Sequence, residues 1–169
     1  MRLVAVAFVF LIVRSITALQ QPVPAYIPPP PEQPLPYSHK QHLALGTTCV
    51  VCHAMPEPGR AATLPPTATC MTCHIRVKTD SPAIQKLAAA HAAGEMISWK
   101  RVYQVPDFVF FSHKVHTMGA AATSCDVCHG PVNQMDVMQR VRDISMPACV
   151  ECHQQKQASV RCDTCHEPR

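Results

Sequence analysis

Apolar positions run unbroken from Leu3 to Val13, with Arg2 before them and Arg14 after. That run is too short to cross a bilayer, which takes roughly 20 apolar residues. Ser15-Ile16-Thr17-Ala18 then offers a cleavage site after Ala18, so residues 1–18 are predicted to be an export signal, with a retained N-terminal membrane anchor as the alternative. No cysteine closely follows the run, which argues against a lipid-anchored form. The polar side of the pattern then gives way to proline. Pro22, Pro24, Pro28, Pro29, Pro30, Pro31, Pro34 and Pro36 fill residues 19–36, a linker expected to be extended rather than helical or stranded. At about 3.1 Å per residue such a segment reaches tens of ångströms, and behind a retained anchor it would hold the rest of the chain off the membrane. The alternative is a disordered leader with no mechanical role.

Past Tyr37 only one stretch has a helical period of useful length. Ser81-Pro82 reads as an N-cap followed by proline in the first turn, and Gly94 suits the C-terminal stop. Between them Ile84, Leu87, Ala88 and His91 fall at i, i+3, i+4 and i+7, one apolar face of a short helix. Val102–Phe111 is predicted to be extended. The expected fold class is a small, mostly irregular and α-helical protein with short helices and little or no sheet.

Cysteine explains why so little regular structure is needed. There are ten cysteines and ten histidines. All the cysteines lie in five CxxCH motifs. Cys49 and Cys52 precede His53, Cys70 and Cys73 precede His74, and Cys125 and Cys128 precede His129. Cys149 and Cys152 precede His153, and Cys162 and Cys165 precede His166. This spacing is the attachment signature of haem c. Two thiols three positions apart add to the two vinyl groups on one porphyrin edge, and the adjacent histidine lies under the iron as proximal ligand. Zinc sites would use CxxC pairs two by two, leaving one over, and would not need a histidine after each. A disulfide framework would leave the five histidines unexplained. The predicted cofactors are therefore five haems c with their iron.

Five histidines remain: His39, His42, His91, His113 and His116, one spare imidazole per iron. The simplest reading is five six-coordinate bis-histidine haems, suited to electron transfer because no position is left for a substrate. Four of the five lie in matched pairs, Tyr37-Ser38-His39-Lys40-Gln41-His42 before the first motif and Phe111-Ser112-His113-Lys114-Val115-His116 before the third. Residues at i and i+3 share one face of a helical turn, and two diverging imidazoles there reach two different porphyrins. His91 is the fifth candidate, expected to point into the haem core from its apolar stripe. Its rivals as ligands are Met96, Met118, Met135, Met138 and Met146. There is no catalytic residue in this reading.

The duplication predicts two related halves, 37–74 and 111–166, joined by the helix-containing connector 75–110, all within one pentahaem domain at 37–169. Its core would be largely porphyrin, and the apoprotein poorly folded. Net charge is +4, or +2 once Arg2 and Arg14 leave with the signal, and haem propionates would lower it further. No basic patch interleaved with aromatics occurs, so nucleic acid is not an expected partner.

The paired histidines before CxxCH resemble the class III multihaem cytochromes, small periplasmic electron carriers. A closer resemblance covers most of the chain from Gln33 to His153. It rests on Gln33–Lys40, Pro65–Met71, Thr79–Pro82, Trp99–Val102, Pro106–His113 and Cys128–Met135. These segments are similar to the pentahaem subunit of alternative complex III, a bacterial quinol-oxidising membrane complex, and to its stand-alone relatives. The resemblance implies an electron carrier, not an enzyme in itself. It would be periplasmic or membrane-anchored on the periplasmic face, and would pass electrons from an iron–sulfur subunit towards a downstream cytochrome or oxidase. The class III pattern further implies that His39 serves the haem of His53 and His113 that of His129, leaving His42, His91 and His116 unassigned. Two departures, the weak N-terminal apolar segment and the end at Arg169, favour a small exported carrier equally. Two other functions are the repeating unit of an extracellular haem filament and a multihaem reductase. The latter needs an open iron, often marked by CxxCK, and no such motif occurs.

Overall fold

The computed structural model describes residues 26–118 and 122–167. The predicted export signal and the first part of the proline-rich linker lie outside them. The described residues hold short helices joined by irregular chain, and no strand. No helix among them is long and apolar enough to cross a membrane. In chain order the helices are α1 (His39–Leu43), α2 (Cys49–Cys52), α3 (Thr67–His74), α4 (Pro82–Ala92), α5 (His113–Thr117), α6 (Cys125–His129), α7 (Met146–Gln155) and α8 (Cys162–Cys165). A single 3-10 turn, Val132–Gln134, follows α6. Every CxxCH motif thus lies in or at the end of a helix, the conformation that turns both cysteines and the histidine towards one side.

Local chemistry accounts for the boundaries. α4 starts with Ser81 in extended conformation and Pro82 in its first turn, and ends at Gly94, whose φ of +70° stops the helix at little cost. The α1 and α5 turns each begin on a serine cap. Ser38 Oγ accepts from the Gln41 amide at 3.1 Å, and Ser112 Oγ from that of Val115 at 3.4 Å. The predicted extended stretch at 102–111 is irregular chain with a turn near Asp107, and forms no strand. Ladder pairing has no neighbouring strand to work with.

The polypeptide builds almost no core of its own. Among the described residues only Leu35, Leu87 and Met135 are buried apolar side chains. Val50, Val51 and Val127, inside the attachment motifs, remain exposed. Two devices tie the shell together. Gln33 exchanges hydrogen bonds with the backbone of Lys100, at 2.8 and 2.9 Å, so the linker is pinned to the connector from Gln33 onward. The two histidine-bearing turns also dock crosswise. The Lys40 amide donates to the Met135 carbonyl at 3.0 Å, beyond the third motif, and the Lys40 ammonium pairs with Asp136 at 3.7 Å. The Lys114 amide donates to the Gly59 carbonyl at 3.0 Å, beyond the first motif, and its ammonium pairs with Glu57. Each half therefore seats its turn on the loop of the other.

Candidate haem-ligand array

The two SHKxH turns have the same internal geometry. Tyr37 stacks on His42 at 4.4 Å between ring centres and meets His39 edge-on at 4.8 Å. Phe111 stacks on His116 at 4.6 Å and meets His113 edge-on at 4.8 Å. One aromatic ring thus fixes two imidazoles in different planes, as two divergent ligands require.

Each of these imidazoles faces another. His39 lies parallel to His53 at 6.3 Å, and His113 parallel to His129 at 6.5 Å. His42 faces His74 at 6.1 Å, and His116 faces His153 at 6.0 Å. These separations test whether an iron fits. With metal–nitrogen bonds of about 2.0 Å and about 1.2 Å from nitrogen to ring centre, two trans imidazoles have centres roughly 6.4 Å apart. All four spacings match that value, and none is a van der Waals stack.

The second ring nitrogens agree. An imidazole that ligates through Nε2 usually donates its Nδ1–H to a fixed acceptor. Nδ1 of His42 and of His116 donates to the carbonyls of Ser38 and Ser112 at 2.7 and 2.8 Å. That of His53 donates to Thr63 at 2.8 Å, His74 to Val77 at 3.0 Å, His153 to Ser159 at 2.7 Å and His166 to Glu167 at 3.2 Å. A carbonyl can only accept, so the proton sits on Nδ1 and the Nε2 lone pair is free. His113 Nδ1 lies 3.0 Å from the Arg60 carbonyl and 3.2 Å from the Ala62 amide. Only one of these can form at a time, and the shorter again frees Nε2. Among the described residues His129 has no such acceptor, and His39 lacks one too, its Nδ1 being buried without a partner. Burial, and then His53 and His42, push its pKa down to about 4, which keeps it in the neutral form that binds metal. Burial lowers His129 likewise, followed by His113 and His53.

The cysteines order the motifs in space. Beyond burial, which acts first, a thiol of a neighbouring motif raises each of Cys70, Cys125, Cys128 and Cys149. Cys52 acts on Cys70, Cys49 on Cys125 (to which it is also hydrogen bonded), Cys152 on Cys128, and Cys165 and then Cys128 on Cys149. The motifs therefore follow one another as second, first, third, fourth and fifth, with the N-terminal pair reversed relative to the chain. Cys73 departs from its motif partner. It lies one turn beyond Cys70 on α3, as attachment requires, but it is exposed where Cys70 is half-buried. The reason is its place in the last turn of α3, past the contact with Cys52, and its sulfur accepts instead from the neighbouring Thr72 hydroxyl at 3.9 Å. Cys162 is likewise exposed, in the first turn of α8. None of the ten cysteines is in a disulfide, so all of them are left for attachment.

His91 stands apart. On α4 Leu87 is buried and Ile84 and Ala88 are partly so, but His91 is exposed, at the far edge of the expected stripe. Its Nδ1 is held at 3.2 Å by Thr67 Oγ1, which itself reaches the Glu95 carbonyl at 3.5 Å. Neither His91 nor His166 has an imidazole opposite it among the described residues. Of the rival methionines, Met135 is buried beside Gly130 and Met138 is half-buried, whereas Met96, Met118 and Met146 are exposed.

Comparison with known proteins gives the same chemistry. Residues 109–167 match the family described as cytochrome c7 and related cytochrome c. The chain is also 37% identical over 100 residues to the multiheme cytochrome c subunit of a menaquinone reductase from Nitratidesulfovibrio vulgaris. Both comparisons are with multihaem or related c-type cytochromes, and the five CxxCH motifs agree with that likeness. The match takes in 58% of this chain and 46% of that relative, so the chain spans about half the length of the curated relative. Sequence reasoning read the histidines of this cytochrome but not their supports. Ser38 and Ser112 repeat at the same place in both turns, which is the signal of a cap.

Proposed function

We propose that this cytochrome carries five haems c and relays electrons between periplasmic or membrane redox partners, with four irons held by the pairs His39/His53, His42/His74, His113/His129 and His116/His153. The observation that carries this reading is the set of four imidazole separations between 6.0 and 6.5 Å. When bound, haem supplies reversible one-electron chemistry at iron. The chain does the rest. Cys49 with Cys52, Cys70 with Cys73, Cys125 with Cys128, Cys149 with Cys152 and Cys162 with Cys165 fix the five macrocycles, and His166 is the fifth proximal ligand. Tyr37 and Phe111 set the angle between the two ligands of each turn, and the carbonyl acceptors hold the imidazoles in one tautomer. Two-histidine ligation leaves no position for substrate at these four irons, which suits a carrier rather than an enzyme in itself.

The relative is a subunit of a menaquinone reductase, and the sequence resembles the pentahaem subunit of alternative complex III. We therefore assign the cytochrome to an exported, quinone-linked membrane assembly, with an iron–sulfur protein and a downstream cytochrome or oxidase as partners. Within it, residues 37–169 form the pentahaem domain, delivered by the segment 1–18 and the linker 19–36. Intact mass of the mature holoprotein should exceed that of the polypeptide by five haems. A fully matured sample with four or fewer would overturn the count. Purification from the native membrane without crosslinking tests the assembly, and a cytochrome recovered alone would count against it.

A further inference from the structure

The four imidazole pairs leave two histidines over, and they lie at opposite ends of the row. His166 belongs to the fifth motif, which is joined to the fourth by Ser159, whose carbonyl and hydroxyl lie 2.7 Å from His153 Nδ1 and from the Thr164 hydroxyl. It is tied to the connector by the Phe110 amide, which donates to the Cys165 carbonyl at 2.6 Å. His91 sits on α4, packed against α3, which carries the second motif at the other end of the row. No hydrogen bond among the described residues joins α3 or α4 to the chain beyond Gln155. One chain thus presents an imidazole without an iron at one end, and an iron site with a single imidazole at the other.

We propose that His91 is an intermolecular ligand, and that its Nε2 completes the fifth haem site, at His166, of a second copy of this chain. The proposal rests on the five-haem, two-histidine reading above and extends it to the one iron that the chain does not close by itself.

The site is built for a donor. Thr67 is the one buried polar residue among the described residues, and its hydroxyl lies 3.2 Å from His91 Nδ1 and 3.5 Å from the Glu95 carbonyl. With the hydroxyl turned to Glu95, it accepts the Nδ1–H and leaves the Nε2 lone pair free, and His91 is exposed at the surface. It has the same preparation as the paired histidines without their partner. The fifth motif is open to solvent: it carries the exposed Arg161–Asp163 ion pair, and apolar side chains near it in the chain or bonded to it are exposed too. Phe108 is 70% exposed, and Phe110 and Val160 are 48% exposed. Ligation adds the Nε2 lone pair to the vacant sixth position of a ferric or ferrous iron, so no electron changes hands and no proton leaves Nδ1. Because donor and acceptor occupy different ends, the contact is heterologous and head-to-tail, and it propagates into an open chain unless its rotation closes a ring.

The test uses the full holoprotein, oxidised, over a concentration series, with mass read by sedimentation and spin state by electron paramagnetic resonance. Mass should rise with concentration, while a high-spin signal equal to one haem per chain, present at dilution, should fade in parallel. His91→Ala should remain monomeric with one high-spin haem at every concentration. Added imidazole should restore its low-spin spectrum without restoring mass. Thr67→Val should keep the association but weaken it about tenfold or more, as loss of an outer-shell partner does. The proposal is overturned by a monomer with five low-spin haems, by a monomer whose one high-spin haem ignores concentration, or by His91→Ala chains that still associate. The underlying four-pair reading fails separately, through fewer than four low-spin haems in the dilute monomer.

Discussion

Replacing Gly59 by alanine tests how the two halves of the cytochrome are locked together. Gly59 is buried with φ +77°, and its carbonyl receives both the Lys114 amide at 3.0 Å and the Ser112 hydroxyl at 3.1 Å. A Cβ there would lie 2.4 Å from Lys114 Cβ and 2.8 Å from Lys114 Cδ. Two costs arise. The left-handed conformation disfavours alanine by about 1 kcal/mol. Forcing apart a packed contact adds about 1–3 kcal/mol, and Cβ of Lys114, unlike the end of its side chain, moves only with the α5 backbone. The total is roughly 2–4 kcal/mol. Gly46 supplies the control, since its φ is +81° and nothing lies within 4 Å of its would-be Cβ. Gly46→Ala should cost only the conformational part, about 1 kcal/mol. Urea unfolding of the two holoproteins, read by haem absorbance, gives the difference directly. Gly59→Ala should also loosen His113 and His116, which ride on α5, and so disturb two haems while sparing those of His53 and His74. Equal destabilisation by the two substitutions would refute the crosswise docking.

Further outcomes come from the same geometry. Ser112→Ala removes the cap of α5 and the bond to Gly59, and should lower the urea midpoint by the equivalent of about 1 kcal/mol; an unchanged midpoint would deny the cap its role. His42→Met should raise the potential of the His74 haem alone, because thioether ligation favours ferrous iron; a shift in the His53 haem instead would reverse the pairing. Acid should act through His39, whose folded pKa of about 4 lies below its ordinary 6.5. Between those values the unfolded chain binds a proton that the folded chain refuses, so stability is flat above pH 6.5 and falls as pH drops towards 4. Urea midpoints that rise on acidification through this window would contradict it.

The chemistry of this cytochrome was more legible in its sequence than its shape. Five CxxCH motifs and a spare histidine for each are local signals, needing no knowledge of the fold. The small helical and irregular fold class came from their density, since chain so often interrupted by attachment sites has no room for sheet. What stayed hidden depends on distant contacts. His42 and His116 look identical in sequence, and their partners, His74 and His153, lie 32 and 37 positions away, past the nearer motif that each turn precedes, where no local pattern announces them. The unequal exposure of Cys70 and Cys73 is equally silent in a motif that treats its two thiols alike. The stripe through Ile84, Leu87 and Ala88 predicted a helix correctly, but it could not say that the last position turns outward. That is decided by Thr67, on another helix. The order of the first two motifs has no sequence signature either, because it is set by which side chains come near one another in space.

The most direct test of the ligand array is anomalous scattering at the iron edge from crystals of the mature holoprotein. The account predicts five iron peaks per chain, four of them on the lines between His39 and His53, His42 and His74, His113 and His129, and His116 and His153. Fewer than five peaks, or an iron beside His53, His74, His129 or His153 whose second ligand is any other residue, would contradict it.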